Sequence, residues 1–142
     1  MIRYANKFDM PIIRELLIEF FSASHHPLAE DIDKWSANHV DKVISSVLSG
    51  AGFILIDDKH IGMIVAIKQP SLWVPNVFIL NEGMWYAKNS ITATKLIKKY
   101  IEIAEDMKER GEIKQFYFNA YKDADFYKLG VRKISTCWGS YG

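Results

Sequence analysis

Apolar positions recur along this chain with two different periods. A spacing of three or four residues occurs in three segments, and this spacing predicts amphipathic helices with one buried face. The first predicted helix follows Asp9, which we expect to cap it, and has Pro11 in its first turn. The second runs from about Ala29 to Leu48, and the third extends to Met107 before Gly111. Their predicted inner residues are Ile13, Leu16, Leu17 and Phe20; then Ile32, Trp35, Val40, Val43, Ile44 and Val47; then Ala93, Leu96, Ile97, Tyr100, Ile101, Ala104 and Met107.

Short apolar runs between turn residues predict strands. They cover Ile2–Ala5, Phe53–Ile56, Ile61–Ile67, Val77–Tyr86, Ile113–Ala120 and Val131 to about Trp138, with a short helix over Asp123–Leu129. The predicted order is βααβββαβαβ. Three consecutive antiparallel strands followed by two helical crossovers favour an α/β (α+β) fold, with a mixed sheet of about six strands and helices on both faces.

Composition limits the class of protein. The 142 residues, 49% hydrophobic and 25% charged, fit one globular domain over 1–142 and exclude a disordered chain or a coiled coil. A net charge of +1 argues against a nonspecific nucleic-acid binder. The single cysteine, Cys137, excludes a disulfide within the chain and a cysteine-based zinc site. No apolar stretch is long enough to span a membrane and the first residues lack a secretory signal, so we expect a cytoplasmic protein without a membrane partner.

Three joints between the predicted elements carry a resemblance to a known family. They are Ile2–Ala5 followed by Asp9–Leu17, the hairpin Ile56–Gly62, and the segment Phe126–Val131. In this order they resemble the GNAT superfamily of acetyl-CoA-dependent N-acetyltransferases, and within it the small acetyltransferases encoded by bacteriophages. The resemblance implies acetyl-CoA as co-substrate, direct attack by an amine of a small-molecule or peptide acceptor in a ternary complex, and compatibility with a homodimer.

The resemblance also implies where coenzyme A would bind. The family motif R/Q-x-x-G-x-G/A corresponds to Lys88–Ala93, with Lys88 as the basic residue and Ile91 in place of the first glycine. A helix N-terminus here would offer unpaired amides to a phosphate. The alternative is that Asn89 or Ser90 is only a helix cap. The candidate cofactor-binding residues are Trp85, Tyr86, Ala87, Lys88, Asn89, Ser90, Ile91, Thr92, Ala93 and Asn119.

Glu82 is the candidate general base. Strand alternation would place it on one face with Phe78, Leu80, Met84 and Tyr86, where apolar neighbours should raise the pKa of its carboxyl. A carboxylate that titrates near neutral pH suits removal of a proton from an amine. The alternative is that Glu82 is satisfied by a neighbour or faces water. The next residue, Gly83, fits a strand that must accommodate a bulge or a ligand.

Tyr127 is the candidate general acid, from its place in the segment that resembles the end of the family fold. It lies three residues before Gly130, whereas the family tyrosine lies four before, where this chain has Phe126. The alternative is that Tyr127 only packs.

His25 and His26 are candidate acceptor-binding residues, because the resemblance places the loop between the first two helices beside the acceptor. Trp73, in a loop bracketed by Pro70 and Pro75, is a third candidate for lining the acceptor side. Exposed loop histidines are more often inert, and no histidine pair has metal-ligand spacing, so we expect no metal site. The alternative to an enzyme is a noncatalytic GNAT-like binding module, which the isoleucine at position 91 favours and Glu82 disfavours.

Overall fold

A computed structural model describes residues 1–23, 28, 31, 35–120, 124–136 and 138. The strands are β1 (Ile2–Tyr4), β2 (Gly52–Asp57), β3 (Gly62–Pro70), β4 (Phe78–Ala87) and β5 (Gln115–Tyr117). The helices are α1 (Met10–Ala23), α2 (Ala37–Ser46) and α3 (Ser90–Glu109), with a π turn over Val47–Ala51 and 3-10 turns over Lys7–Asp9 and Tyr127–Leu129.

The strands form one mixed sheet in the order β1-β2-β3-β4-β5. Pairs among the first four strands are antiparallel, whereas β5 pairs parallel to β4 after the crossover through α3. The predicted mixed, mostly antiparallel sheet is therefore confirmed. Among the described residues the strands and α-helices follow one another as β1, α1, α2, β2, β3, β4, α3 and β5. Helix α3 packs on one face of the sheet, and α1 and α2 cover the other face.

The predicted sixth strand is absent from the described part of the chain, since residues 131–136 have no regular structure. Four of these six side chains are polar, so a strand here would bury little apolar surface on either face. The strand predicted over residues 113–120 is also shorter, with only Gln115–Tyr117 paired. The final helix is reduced to the 3-10 turn at Tyr127–Leu129.

Two details of the first helices differ from the prediction. Asn6 caps the 3-10 turn that leads into α1, because its side chain accepts from the Phe8 amide at 2.9 Å, and Asp9 completes this capping box by accepting from the Asn6 amide at 2.9 Å. Asp9 is also buried and accepts from the two terminal guanidinium nitrogens of Arg3 at 2.8 Å. Helix α2 begins at residue 37 in the described part of the chain, and Val43 is 47% exposed, so its predicted place on the inner face is wrong.

The N-terminus of α3 approaches the sheet very closely at Gly62. A Cβ atom at this position would lie 2.9 Å from the Ala87 Cβ and 3.0 Å from side-chain carbons of Thr92 and Leu96. Glycine at position 62 therefore lets the first turn of α3 sit directly against β3. Helix α3 buries its predicted apolar face, including the fully buried Tyr100, under this contact.

Candidate active site

The ladder between the parallel strands β4 and β5 ends well before β4 does. The β4–β5 ladder covers only Ile79–Asn81 against Gln115–Tyr117, whereas β4 continues to Ala87. Beyond Asn81 the two strands no longer pair, and we call the unpaired stretch between β4 and the chain after β5 the opening. Because α3 begins three residues after β4 ends, its N-terminus stands at the same end of the sheet.

A β-bulge lies in β4 where this opening begins. Val65 pairs with Met84 and Ala66 pairs with Glu82, so Gly83 is an extra residue without a partner on β3. Such a bulge bends the strand and turns the backbone groups next to it away from the ladder. The strand thus has the irregularity expected near Gly83.

The bulge reverses the alternation of side chains along β4. Met84 and Tyr86 pack with the core under α1 and α2, whereas Leu80 packs with the core under α3. Glu82 pairs with Ala66, which belongs to the α3 core, so Glu82 lies on the α3 face. The predicted common face with Met84 and Tyr86 is wrong, because one inserted residue exchanges the two faces of a strand.

The Glu82 carboxyl is half-buried and spans the opening. Its Oε1 accepts a hydrogen bond from the backbone N–H of Asn119, at 3.2 Å, on the chain just after β5. Burial raises the pKa of Glu82 to about 7, and the Asn119 hydrogen bond opposes this rise. A carboxyl with this pKa is able both to accept and to release a proton near neutral pH.

Tyr100 of α3 is a neighbour of Glu82 that sequence reasoning assigned only to the core. Its hydroxyl donates to the backbone carbonyl of Tyr117 at 2.5 Å. Burial, and then the negative charge of Glu82, raise the pKa of Tyr100. A tyrosine on an apolar helix face must find a partner for its hydroxyl, and this is the one signal in the sequence.

The N-terminus of α3 has free amides. The Asn89 side chain accepts from the Thr92 amide at 2.8 Å, so Asn89 caps the helix, as one alternative expected. Among the described residues, the amides of Ser90 and Ile91 have no partner. Ile91 is helical and 68% exposed, without the left-handed conformation that a glycine would supply. The Ala93 amide donates to the Asn89 carbonyl at 3.1 Å.

Lys88 is held by a residue that the sequence analysis missed. Its Nζ lies 3.4 Å from Glu19 Oε1 on α1. Burial, and then the negative charge of Glu19, raise the pKa of Tyr86 on the same face. Nothing in the α1 sequence marks Glu19, because only the fold brings the end of this helix to the end of β4.

Trp85 forms an aromatic cluster on the α3 face, next to the opening. Its ring centroid lies 6.1 Å from those of both Phe118 and Phe126, which are 5.2 Å from each other. The Trp85 indole Nε1 is buried and has no hydrogen-bond partner among the described residues. Phe126, not Tyr127, therefore makes the ring contact to this cluster.

The next residue, Tyr127, lies in a neighbouring cleft. It is 63% exposed and lines a cleft of about 1140 Å³ formed by β5, Asn81, the end of α3 and residues 124–136. Neither Glu82 nor Trp85 lines this cleft. The structure thus joins Glu82 to the Asn119 amide and places Trp85 beside Phe118 and Phe126, while the Tyr127 phenol is exposed in a cleft that Phe118, Asn119 and Phe126 also line.

The candidate acceptor residues are dispersed or lie outside the description. Trp73 is 86% exposed in the loop before β4, at the opposite end of this strand from α3. His25 and His26 lie outside the described residues. Within the described ranges, no three His, Cys, Asp or Glu side chains could hold a metal ion together, and no helix has the length and apolarity to cross a bilayer.

Comparison with known proteins identifies the fold. No family model matches this sequence, and no curated protein does. Solved structures do match: an aminoglycoside acetyltransferase from an uncultured soil metagenomic sample has a TM-score of 0.63 and 15% identity, over 98% of this chain and 95% of that chain. The ribosomal-protein-alanine N-acetyltransferase of Brucella melitensis biovar Abortus 2308 has 0.56 and 15%, over 99% and 96%. An integron cassette protein from the Cole Harbour Salt Marsh metagenome has 0.66 and 11%, over 98% and 88%.

At these identities the likeness concerns the fold, a mixed α/β fold that this chain shares with solved acetyltransferases. It extends over nearly the whole of this chain.

Proposed function

We propose that this protein transfers an acetyl group from acetyl-CoA to an amine of a small-molecule or peptide acceptor, in a ternary complex. The observation that carries the proposal is the half-buried Glu82 carboxyl, with a pKa of about 7, at the point where two parallel strands part. The fold shared with acetyltransferases supports the same chemistry without deciding it, because function resides in the site.

The residues around the opening fit an acyl-CoA. The free amides of Ser90 and Ile91, at the positive end of the α3 dipole, suit a phosphate group. The buried indole N–H of Trp85 lacks an acceptor that a bound amide or carbonyl could supply. Bound acetyl-CoA would bring an activated thioester. The irregular backbone after Gly83 is the candidate for holding its carbonyl oxygen.

Glu82 would act as the base. An amine is protonated at neutral pH and must lose a proton before its nitrogen attacks a thioester carbonyl. Ionised Glu82 accepts that proton, directly or through water. The nitrogen–carbon bond forms as the carbon–sulfur bond breaks. The nitrogen then loses its second surplus proton, which passes through water or Tyr127 to the leaving thiolate, and coenzyme A departs as the thiol. With a pKa near 7, about half of the Glu82 side chains are ionised at neutral pH.

Tyr127 stays the candidate for protonating the leaving thiolate. Its ring is exposed in the neighbouring cleft, so the phenol would have to reach the thiolate from there. Since a thiol has a pKa of about 8.5, a thiolate can leave near neutral pH without a strong acid. A Tyr127→Phe variant with unchanged kcat would remove Tyr127 from the mechanism and leave the role of Glu82 intact.

Isothermal titration with acetyl-CoA tests the proposal, with desulfo-CoA and adenosine diphosphate as controls. We expect micromolar binding of acetyl-CoA by both the wild type and Glu82→Gln, and amine acetylation by the wild type alone. No heat and no thermal stabilisation at millimolar acetyl-CoA would overturn the enzymatic function. The engagement of Lys88 by Glu19 and the exposed Ile91 would then favour a noncatalytic binding module.

A further inference from the structure

The end of β5 and the chain just after it are connected to β4 and α3 through side chains instead of ladder hydrogen bonds. Parallel pairing ends at Asn81 and Tyr117. Past this point, the Asn119 amide donates to Glu82 Oε1 at 3.2 Å, and the Tyr117 carbonyl accepts from the Tyr100 hydroxyl at 2.5 Å. Backbone groups that a longer ladder would have paired are thus satisfied by one carboxylate and one phenol.

Tyr100 is rigidly placed to do this. It is fully buried on α3, and its ring packs against Phe53, Phe116 and Phe118 at centroid distances of 6.2 to 6.4 Å. Two of these rings flank Tyr117 in sequence, so both the ring and the hydroxyl of Tyr100 hold the same short segment. A buried hydroxyl fixed in this way transmits the position of the helix to the strand.

The surroundings of Glu82 are simple. Ala66 of β3 lies opposite it, Tyr100 approaches from α3, and the Asn119 amide faces it from the chain after β5. Among the described residues, Tyr100 is thus the titratable group that faces Glu82, and it is neutral at physiological pH. The hydrogen bond from Asn119 is the one contact that favours the ionised carboxylate over its buried neutral form.

We propose that Tyr100 is a positioning residue for Glu82: its hydroxyl fixes the backbone at Tyr117 and thereby keeps the Asn119 amide against the carboxylate that serves as base. The role of Glu82 as base rests on the proposed function, whereas the hydrogen bonds made by Tyr100 and Asn119 are present in the protein without a ligand. Without the Tyr100 hydroxyl, the Tyr117 carbonyl loses its hydrogen bond to α3 while the ring contacts to Phe116 and Phe118 remain, and the hydrogen bond from Asn119 to Glu82 loosens.

The test is a carbon-detected NMR titration of the Glu82 side chain in Tyr100→Phe, with Tyr117→Phe as matched control. The control removes a hydroxyl from the same segment but leaves the Tyr117 carbonyl in place. In Tyr100→Phe we expect the pKa of Glu82 to rise by about half a unit or more, because the hydrogen bond that lowers it is weakened. We also expect the Asn119 amide to exchange with solvent about tenfold faster.

A second variant guards against a general loss of structure in Tyr100→Phe. Asn119→Pro removes the N–H donor itself on an exposed segment and should raise the pKa of Glu82 to a similar extent. A Glu82 pKa that is unchanged or lowered in Tyr100→Phe, or one that moves equally in Tyr117→Phe, would overturn the proposal. Circular dichroism confirms that each variant is folded under the conditions of the titration.

Kinetics separate this inference from the proposed function. In an active enzyme, Tyr100→Phe should lower kcat about tenfold, shift the ascending limb of the pH profile upward, and change the KM for acetyl-CoA less than about twofold. An equal loss in kcat with an unshifted pH limb would contradict positioning of Glu82. A wild type without any acetyl transfer would refute the proposed function, while the titration would still decide the role of Tyr100.

Discussion

Replacing Glu82 by glutamine should stabilise the protein, increasingly so as the pH rises from about 4.5 to 7. Burial raises the pKa of the Glu82 carboxyl from 4.5 to about 7, so the folded protein holds this proton more tightly than the unfolded chain does. Below about pH 4.5 both states are protonated and the raised pKa costs nothing. As the pH rises toward 7, the unfolded chain ionises first, and folding becomes progressively less favourable.

The size of the effect follows from the shift. At 1.36 kcal/mol per unit, a rise from 4.5 to about 7 corresponds to about 3 kcal/mol of lost stability above neutral pH. Glutamine carries no charge and keeps a carbonyl oxygen that can accept from the Asn119 amide. Glu82→Gln should therefore exceed the wild type in free energy of unfolding by about 2–3 kcal/mol near pH 8, and by much less near pH 4.

Urea unfolding followed by circular dichroism measures this difference across that pH range. Glu15→Gln is the matched control, because Glu15 is an exposed glutamate on α1 and its substitution should leave the pH dependence unchanged. A difference between Glu82→Gln and the wild type that does not vary with pH would refute the argument. It would mean that the folded protein hydrates Glu82 as well as the unfolded chain does.

Three further substitutions test other parts of the structure. Asp9→Asn should lower the free energy of unfolding by about 2 kcal/mol near pH 7, because the hydrogen bonds from Arg3 lower the pKa of Asp9 from 3.8 to about 2. In urea unfolding this difference should vanish as the pH falls through 2. A difference that stays constant with pH would contradict the ion pair. Glu19→Gln should release Lys88 and tighten the binding of adenosine diphosphate about threefold, as measured by calorimetry. Lys88→Ala should abolish this gain. Equal affinities of Glu19→Gln and the wild type would show that this ion pair does not influence the phosphate site. Gly52→Ala should lower the free energy of unfolding by about 2–4 kcal/mol in thermal or urea unfolding, because the new Cβ atom would lie 1.9 Å from a backbone carbonyl oxygen of β3. A near-neutral effect would show that β2 can shift to make room for the methyl group.

Elements with a strong hydrophobic period could be predicted from the sequence. Most of the buried face of α3 was predicted, because twenty residues of amphipathic helix repeat the same signal over several turns; the exception is the first turn, where Thr92 is buried and the predicted Ala93 is half-buried. The strands β2, β3 and β4 were predicted from short apolar runs between turn residues. The end of the chain could not be predicted, because a segment with only two apolar residues, Val131 and Ile134, among positions 131–136 offers too little apolar surface to bury in a strand.

The candidate site was predictable only where local sequence decides geometry. A glutamate in an apolar strand with a raised pKa, and a capping asparagine before α3, were both expected and are both present. The partners of Glu82 were not expected, because Tyr100 and the Asn119 amide reach it from 18 and 37 residues away along the chain. Side-chain contacts at that separation depend on how the helix crosses the sheet.

The sequence by itself determined the main helices and strands as far as β5 and placed the carboxyl of Glu82 in β4, because these depend on periodicity and residue type within a few positions. The tertiary structure alone decided on which face of the sheet Glu82 lies and what holds it. One extra residue at Gly83 reverses the alternation of β4, and the early end of the β4–β5 ladder leaves backbone groups that only Glu82 and Tyr100 satisfy. Register and ladder length are set by packing across the whole sheet, and no local pattern encodes them.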